Sequence, residues 1–241
     1  MLSFIVPAHD EARRIGATLA ALHAAAATCG LRYEIVVVDD ASADGTADLA
    51  REAGARVLRV EHRHIAATRN AGAAVAAGEQ LVFVDADTQV SAGLLKAALA
   101  ALDAGAVGGG ATIRLNEAVR WHEHAATAAI AALLRLARIA PGCFIFCTRR
   151  AFESVGGFDE RYFAGEDVAL SRALARAGRF VVLRERALSS GRKLRTFPLR
   201  EHLRLLGRVL LRGRRVLHSR EALDLWYARR RESGPGDRPG S

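Results

Sequence analysis

Two aspartates separated by one alanine follow a run of apolar residues in the segment "LVFVDADT", residues 81–88. Because alternate side chains of a β-strand point to the same face, we expect Asp85 and Asp87 on one face and Ala86 on the other. Two carboxylates this close repel each other unless a cation lies between them. A divalent cation site is one interpretation, and a strand that ends in a turn with a capping aspartate is the other.

Two further acidic pairs have comparable positions. The segment "YEIVVVDD" ends in Asp39 and Asp40, and "GED" places Glu166 and Asp167 at the start of a predicted helix. Single aspartates at strand ends and acidic residues in a first helical turn are ordinary structural features. Two acidic clusters at strand ends on one predicted edge of the sheet are less ordinary, and they favour a binding site.

The segments that position these carboxylates alternate between strand and helix patterns. The pattern predicts strands at residues 2–8, 33–40, 55–61 and 80–87, separated by helices at residues 10–28, 42–54 and 65–78. This alternation is typical of a parallel sheet packed between helices. Ligands of such sheets bind beyond the carboxyl ends of the strands, so one edge is expected to carry His9, Asp39, Asp40, Asp85 and Asp87.

The second half of the chain has a mixed pattern. Helices are predicted at residues 91–105, 117–139 and 166–178, and "RAFESVGGF" predicts a short helix with a tight turn at its two glycines. Strands are predicted within residues 106–115 and at residues 141–149 and 180–183. We therefore expect an α+β half that packs against the parallel half.

The composition limits the classes of partner. The 241-residue chain has a formal net charge of +9, which favours phosphorylated molecules or anionic lipid. Aromatic residues make up only 6% of the chain and are not interleaved with basic ones, so nucleic acid is not expected as a partner. Cys29, Cys143 and Cys147 predict free thiols in a reducing compartment. Without a signal-peptide pattern or a membrane-spanning apolar run, a cytoplasmic location is expected.

The basic residues concentrate towards the C-terminus. Arginines recur every fourth residue beside a stripe of leucines, at Arg200, Arg204, Arg208 and Arg212 and at Leu199, Leu203, Leu206 and Leu210. The stripes predict an amphipathic helical extension over residues 196–232, followed by a disordered tail at residues 233–241. Three interpretations stay open: a solvated helix face, a peripheral contact with anionic lipid on the inner face of the cell membrane, or a partner-binding surface.

Four segments in order resemble the successive motifs of family 2 glycosyltransferases of the GT-A fold. They are "SFIVPAHDEA", "VVVDDASADGT", "ATRNAGAAVAAGEQLVFVDADT" and "FESVGGFDERYFAGEDVALSRALARAG". The resemblance implies a GT-A domain at residues 1–195, with a nucleotide-sugar-binding half at 1–112 and an acceptor or catalytic half at 113–195. It also implies an inverting transferase with a nucleotide diphosphate-sugar donor, a hydroxyl acceptor and Mg²⁺ or Mn²⁺.

The resemblance assigns roles to matching positions in the acidic segments. Asp85 and Asp87 match the metal-binding pair, with Asp85 also towards the ribose, and Asp167 matches the general base. Asp40 matches the residue that accepts a hydrogen bond from the nucleobase, and Asp39 is its neighbour.

The resemblance extends to residues around those carboxylates. Glu166 is expected near the acceptor. Arg69 is expected near the diphosphate or the nucleobase, and a solvated helix arginine is the alternative. The segment that borders the nucleobase and ribose is matched by Pro7, Ala8, His9 and Glu11, with His9 in the place of the usual aromatic residue.

The chemistry of sugar transfer accounts for these residue types. A hard cation stabilises the charge on a departing diphosphate, and a carboxylate such as Asp167 takes the proton of the attacking hydroxyl. In the basic loop "SSGRKLRT", residues 189–196, Arg192 and Lys193 are expected to close over the diphosphate. The alternatives are a non-catalytic nucleotide-sugar-binding protein of the same fold and, ranked lower, a nucleotidyltransferase.

Overall fold

The computed structural model describes residues 1–115 and 138–189 of the chain. The strands are β1 (Leu2–Ala8), β2 (Tyr33–Asp40), β3 (Arg56–Val60), β4 (Gln80–Val84), β5 (Thr88–Gln89), β6 (Gly108–Leu115), β7 (Phe144–Thr148) and β8 (Phe180–Ser189). The helices within these ranges are α1 (Ile15–Thr28), α2 (Thr46–Glu52), α3 (Ile65–Val75), α4 (Ala92–Asp103), α5 (Arg149–Ser154) and α6 (Glu166–Ala177). The eight strands form one sheet in the order β3-β2-β1-β4-β7-β6-β8-β5.

The first part of the sheet is parallel, as the alternating pattern predicts. Strand β1 pairs in parallel with β2 and with β4, and β2 pairs in parallel with β3. The apolar strands are buried on both faces, because alternate residues of β1 pack into different clusters: Phe4 and Val6 into one, and Ile5 into the other.

The second part of the sheet is mixed, which confirms the α+β prediction. Strand β7 runs antiparallel to β4 and to β6, while β8 runs parallel to β6. The register places Val84 of β4 opposite Phe144 of β7. The loop that precedes β7 therefore lies beside the carboxyl end of β4, where the predicted ligand-binding edge is.

Several element boundaries differ from the predictions. Strand β4 ends at Val84, and α1 begins at Ile15, after a loop in which Asp10 has a positive φ of 53°. Strand β8 extends to Ser189 because it continues to pair with β6 beyond a register shift. The two-residue strand β5, which pairs with the end of β8, was not predicted.

Helix α3 packs directly on the parallel strands. A Cβ at Gly72 would lie 2.5 Å from Ile5 Cγ2 and 2.7 Å from Val38 Cγ2, so a larger residue would push the helix away from the sheet. At the other end, the Arg149 guanidinium donates to carbonyl groups at and beyond the end of α3, those of Ala73, Ala76 and Gly78. These contacts fix the helix that carries Arg69.

None of the described helices is long and apolar enough to cross a membrane. The three cysteines are free thiols, as predicted. The helix predicted at residues 117–139 falls mostly outside the described residues, and the C-terminal extension and tail lie wholly outside them.

Candidate active site

The acidic pair that follows β4 lies in a turn. The Thr88 N–H donates to the Asp85 carbonyl at 3.0 Å, which closes a four-residue turn. The prediction that the strand continues through Asp87 is therefore wrong, and the alternative of a turn at the strand end is confirmed. Ala86 is buried, and its carbonyl accepts a hydrogen bond from the Thr18 hydroxyl at 2.8 Å. Asp85 and Asp87 are both partly exposed.

Arg69 of α3 is a buried cation among carboxylates, so it is not a solvated helix arginine. Its side chain is 3% exposed, and it donates to Asp85 Oδ1 at 2.8 Å and to Glu166 Oε1 at 2.7 Å. It also donates to the Gly142 carbonyl at 3.1 Å. Burial acts to lower the pKa of Arg69, but the charges of Asp85, Glu166 and Asp167 outweigh burial and raise it.

Glu166 begins α6 and turns into the protein. Its side chain is only 10% exposed and is bound by Arg69, so little of its carboxylate is accessible to an acceptor. Burial and the neighbouring Asp167 raise the pKa of Glu166, and the Arg69 charge opposes them. The contact that the structure gives this carboxylate is therefore an internal ion pair.

Asp167 faces the loop that precedes β7. Its Oδ2 accepts from the Gly142 N–H at 2.8 Å, and its Oδ1 accepts from the Val168 N–H at 2.7 Å. Gly142 thus contacts Asp167 through its N–H and Arg69 through its carbonyl. A Cβ at Gly142 would lie 2.9 Å from Arg69 Nη2, so a side chain at this position would displace the guanidinium.

The buried thiol of Cys143 shows that the acidic groups surround this loop. Burial raises the pKa of Cys143, and the nearby charges of Asp85, Asp167 and Asp87 raise it further, while Arg69 acts in the opposite direction. The Cys143 carbonyl also accepts from the Asp85 N–H at 3.3 Å. The structure therefore brings the carboxylates of the "DAD" and "GED" segments together around this loop. From the strand pattern, only the "DAD" segment was placed at this edge.

The two aspartates that end β2 have different environments. Asp40 accepts two backbone N–H groups of the loop before α3, at 2.8 and 3.2 Å, and the Thr68 hydroxyl at 2.9 Å. Asp39 is 2% exposed, its Oδ2 lies 3.5 Å from Arg59 Nε, and its Oδ1 has no hydrogen-bond partner among the described residues. An unsatisfied buried carboxylate oxygen is costly, so Asp39 has the available acceptor that the resemblance assigned to Asp40.

The other residues predicted to border the nucleobase lie at the end of β1. Pro7, Ala8 and Glu11 are buried, whereas His9 is exposed and its Nδ1 lies 2.7 Å from a backbone carbonyl at the end of β2. The loops after β1 and β2 are bonded together, in part because the Thr46 hydroxyl accepts from the Glu11 N–H at 2.8 Å. This part of the edge is therefore preformed by contacts between loops.

The predicted basic loop is outside the described residues. Arg192 and Lys193 belong to the range that begins at residue 190, and their closure over a diphosphate stays a prediction.

The donor set at the "DAD" turn is compatible with a hard cation. Asp85 and Asp87 supply carboxylate oxygens, although one oxygen of Asp85 is bound by Arg69. Within residues 1–115 and 138–189, no group of three or more histidine, cysteine, aspartate or glutamate side chains is arranged to hold a metal ion. Mg²⁺ bound together with a nucleotide commonly uses one or two carboxylates plus phosphate oxygens and water, so two aspartates are sufficient.

Sequence reasoning missed three residues that shape this site: Asn70, Gly142 and Phe158. Asn70 lies within α3, where asparagine is a poor helix former, and this was a usable signal of a tertiary role. Gly142 and Phe158 had no comparable signal, because their roles arise from contacts with residues distant in the chain.

A mostly parallel sheet with acidic residues at the ends of β2, β4 and at the start of α6 defines an α/β protein of the GT-A type. Residues 3–159 match the model of glycosyl transferase family 2, and the chain belongs to that family.

Solved structures agree with this fold. Mannosyltransferase PcManGT from Pyrobaculum calidifontis, in complex with GDP-Man and Mn²⁺, has a TM-score of 0.64 at 23% identity and is matched over 92% of this chain and 64% of its own. S. aureus TarS 1-349, in complex with UDP-GlcNAc, has a TM-score of 0.61 at 20% identity over 78% of this chain and 58% of its own. At these identities the likeness shows the fold alone.

A curated relative matches a shorter range. The 4,4'-diaponeurosporenoate glycosyltransferase of Staphylococcus haemolyticus is 33% identical over 97 residues, which are 37% of this chain and 25% of the relative. The match thus spans a quarter of the relative's length.

Proposed function

We propose that the protein transfers a sugar from a nucleotide diphosphate-sugar to an acceptor hydroxyl, with inversion at the anomeric carbon and with a divalent cation. The observation that carries this proposal is the arrangement of Asp85 and Asp167 around Arg69 and Gly142. Asp85 follows a strand of the nucleotide-binding half, and Asp167 begins a helix of the other half. A donor and an acceptor bound by the two halves would therefore meet at this point.

Asp167 is the general base in this proposal. The acceptor oxygen attacks the anomeric carbon, the bond from that carbon to the diphosphate oxygen breaks, and Asp167 takes the hydroxyl proton. The nucleoside diphosphate leaves with the electron pair of the broken bond. The hydrogen bonds to Asp167 at 2.8 and 2.7 Å orient the carboxylate, and the helix N-terminus stabilises its negative charge.

Asp85 and Asp87 are the residues that would hold Mg²⁺ or Mn²⁺. When bound, the cation would stabilise the negative charge that develops on the diphosphate. The presence of Mn²⁺ with GDP-Man in the complex of mannosyltransferase PcManGT supports this assignment. Arg69 holds Asp85 Oδ1 at 2.8 Å and so orients the carboxylate without closing access to the partly exposed Asp87.

We assign nucleobase recognition to Asp39 rather than to Asp40. Among the described residues, Asp39 Oδ1 is a buried acceptor without a donor, whereas Asp40 already accepts three hydrogen bonds. Neutral uracil and guanine have a ring N–H that such an acceptor can bind, and adenine has none at the corresponding edge. UDP-GlcNAc and GDP-Man in the TarS and PcManGT complexes are of this kind.

The acceptor is proposed to be lipid-linked or a small molecule, and a lipid-linked one would agree with membrane contact by the C-terminal stripes. Flotation of the full chain with vesicles that contain anionic lipid tests this contact. Co-flotation at low salt that is lost at high salt is expected, and no flotation at low salt would contradict it.

Thermal unfolding with a panel of nucleotide diphosphate-sugars, with and without Mn²⁺, tests the function. We expect a donor with a uracil or guanine base to raise the Tm in a Mn²⁺-dependent way, since a ligand that binds the folded state stabilises it. Asp87→Ala should remove the metal dependence. Stabilisation without any release of nucleoside diphosphate would favour the non-catalytic alternative, and no response to any donor would contradict nucleotide-sugar binding altogether.

A further inference from the structure

Asn70, the residue after Arg69, binds the backbone of Phe158 in both directions. Its Oδ1 accepts from the Phe158 N–H at 2.9 Å, and its Nδ2 donates to the Phe158 carbonyl at 2.9 Å. The second Nδ2 hydrogen has a partner in Glu160 Oε1, also at 2.9 Å. Both the oxygen and the nitrogen of the Asn70 amide are therefore bonded to a segment that begins 88 residues later in the chain.

The turn before Phe158 is shaped to receive this amide. Gly156 and Gly157 have φ values of 81° and 72°, a region that favours glycine. A Cβ at Gly157 would lie 2.8 Å from Asn70 Oδ1. Position 157 requires glycine for two reasons, its positive φ and the short distance to Asn70 Oδ1. The turn can therefore approach the Asn70 amide closely.

The ring of Phe158 supports the Arg69 guanidinium. Phe158 is 1% exposed, and its ring centroid lies 5.0 Å from that of Phe83, which fixes its position in the core. Arg69 Cζ lies 5.1 Å from the Phe158 centroid, within the range of a cation–π contact. Arg69 Nε is buried without a hydrogen-bond partner among the described residues, so the contacts that hold the guanidinium are those of its two Nη groups and the Phe158 ring.

The segment that begins at Phe158 leads directly to Glu166 and Asp167 at the start of α6. Helix α3 and its cap contact this segment near its start, in its middle and at its end. Asn70 binds Phe158, the ring of His64 lies 4.5 Å from that of Phe163, and Arg69 binds Glu166. Because Asn70 holds the first of these points, its loss would affect both the support of Arg69 and the entry into α6.

We propose, on the basis of the proposed function, that Asn70 is a positioning residue for the general base Asp167. It acts through Phe158, which supports Arg69, and through the loop that ends in α6. The alternative is that Asn70 only closes a surface turn. The two differ in outcome, because a positioning residue changes turnover more than donor affinity, whereas a turn-closing residue changes stability alone.

The test compares the wild type with Asn70→Ala, Asn70→Asp and Glu160→Gln. Glu160→Gln is the matched control, because it alters the third partner of Asn70 and leaves both bonds to Phe158. Asn70→Asp keeps an acceptor for the Phe158 N–H and loses the donor. Turnover is measured with water as the acceptor, as release of UDP or GDP and free sugar from UDP-GlcNAc and GDP-mannose with Mn²⁺, well below the Tm of each variant. Hydrogen exchange of residues 158–168 is measured on the same samples.

We expect Asn70→Ala to lower kcat by about 10- to 100-fold, since small displacements of catalytic groups have effects of this size. The donor KM should rise by a smaller factor, because Arg69 also binds Asp85. Exchange in residues 158–168 should be faster, Asn70→Asp should be intermediate, and Glu160→Gln should match the wild type. Unchanged kcat, or a KM that rises in step with the loss of kcat, would overturn the role of Asn70.

The failure of the proposed function has a different signature. If neither donor raises the Tm of the wild type in the presence of Mn²⁺ and neither is hydrolysed, sugar transfer from these donors is contradicted. The hydrogen-exchange comparison then tests whether Asn70 holds residues 158–168 in place. Unchanged exchange of residues 158–168 in Asn70→Ala would overturn it, and faster exchange confined to that segment would support it.

Discussion

The adjacent carboxylates Asp39–Asp40 and Glu166–Asp167 form two acidic pairs in partly or fully buried positions. The two pairs are stabilised in different ways. Asp40 accepts donors that lie 23 to 28 residues away in the same parallel half. Glu166 depends on Arg69, which lies 97 residues away, and Asp167 on Gly142, which lies 25 residues away in the loop before β7.

In the proposed function, this difference separates structural from ligand-binding carboxylates. In the first pair, the carboxylate with three donors fixes the start of α3, and its neighbour has one oxygen without a donor among residues 1–115 and 138–189, which we propose for the nucleobase. In the second pair, Glu166 is bound by a guanidinium, and Asp167 is oriented by backbone N–H groups but stays partly exposed. The second pair joins the two parts of the sheet and should be the more sensitive to distant substitutions.

The largest expected effect comes from Asp167→Asn, which keeps the size of the side chain and removes its basicity. We expect kcat to fall by about 10²- to 10⁴-fold, the usual contribution of a general base. The Tm increase caused by donor and Mn²⁺ should persist. A variant with wild-type turnover would show that the general base is a different residue.

The second prediction concerns donor affinity at the first pair. Asp39→Asn should weaken binding of a uracil or guanine donor by about 10- to 100-fold, because a hydrogen bond to a charged acceptor contributes roughly 1.5–3 kcal/mol. Its free energy of unfolding should stay equal or increase, since an unsatisfied buried charge is removed. Titration calorimetry and urea unfolding measure the two quantities. Unchanged donor affinity would contradict the assignment to Asp39.

Asp40→Asn is the matched substitution, and the opposite pattern is expected. The amide nitrogen would face N–H donors that now bind a carboxylate, so the free energy of unfolding should fall by about 1–3 kcal/mol. Donor affinity, measured on folded protein at low temperature, should change less than in Asp39→Asn. Equal stability of Asp40→Asn and the wild type would contradict the structural role.

The third prediction concerns how the free energy of unfolding depends on pH through Glu166 of the second pair. Burial and Asp167 raise the pKa of Glu166 in the folded state above its ordinary value of 4.5. The stability that this proton contributes is complete below about pH 4.5 and is lost as pH rises through the folded pKa. Urea unfolding from pH 4.5 to 7 should therefore show a loss of stability in the wild type that is smaller in Glu166→Gln. Parallel curves for the two proteins would contradict a raised pKa.

The smallest effect is expected beside the first pair. Ala41 follows Asp40 with a φ of 57°, a conformation that is unfavourable for alanine and readily adopted by glycine. Ala41→Gly should increase the free energy of unfolding by about 0.5–1 kcal/mol. Ala43→Gly, in the same loop and without a positive φ, is the control and should decrease it slightly. Equal effects of both substitutions would contradict the backbone explanation.

Local sequence patterns were sufficient for most of the sheet. The apolar runs of β1, β2 and β4 and the helices between them follow from hydrophobic periodicity and glycine positions, and they place Asp39, Asp40 and Asp85 at one edge. The short β5 and the extension of β8 could not be predicted, because both are held by pairing between strands distant in the chain. The turn at Asp85 was only an alternative interpretation of the sequence, since strand periodicity does not say where the strand ends.

The sequence by itself determined the residue types of the site, the parallel order of its first half and the family to which the chain belongs. Only the tertiary structure decided how those residues divide the work. It showed that Arg69 is buried between Asp85 and Glu166, that Asp39 rather than Asp40 has an oxygen without a donor, and that Asn70 reaches Phe158. The physical reason is that the state of a buried polar group depends on all of its neighbours, and here most of these neighbours come from distant parts of the chain.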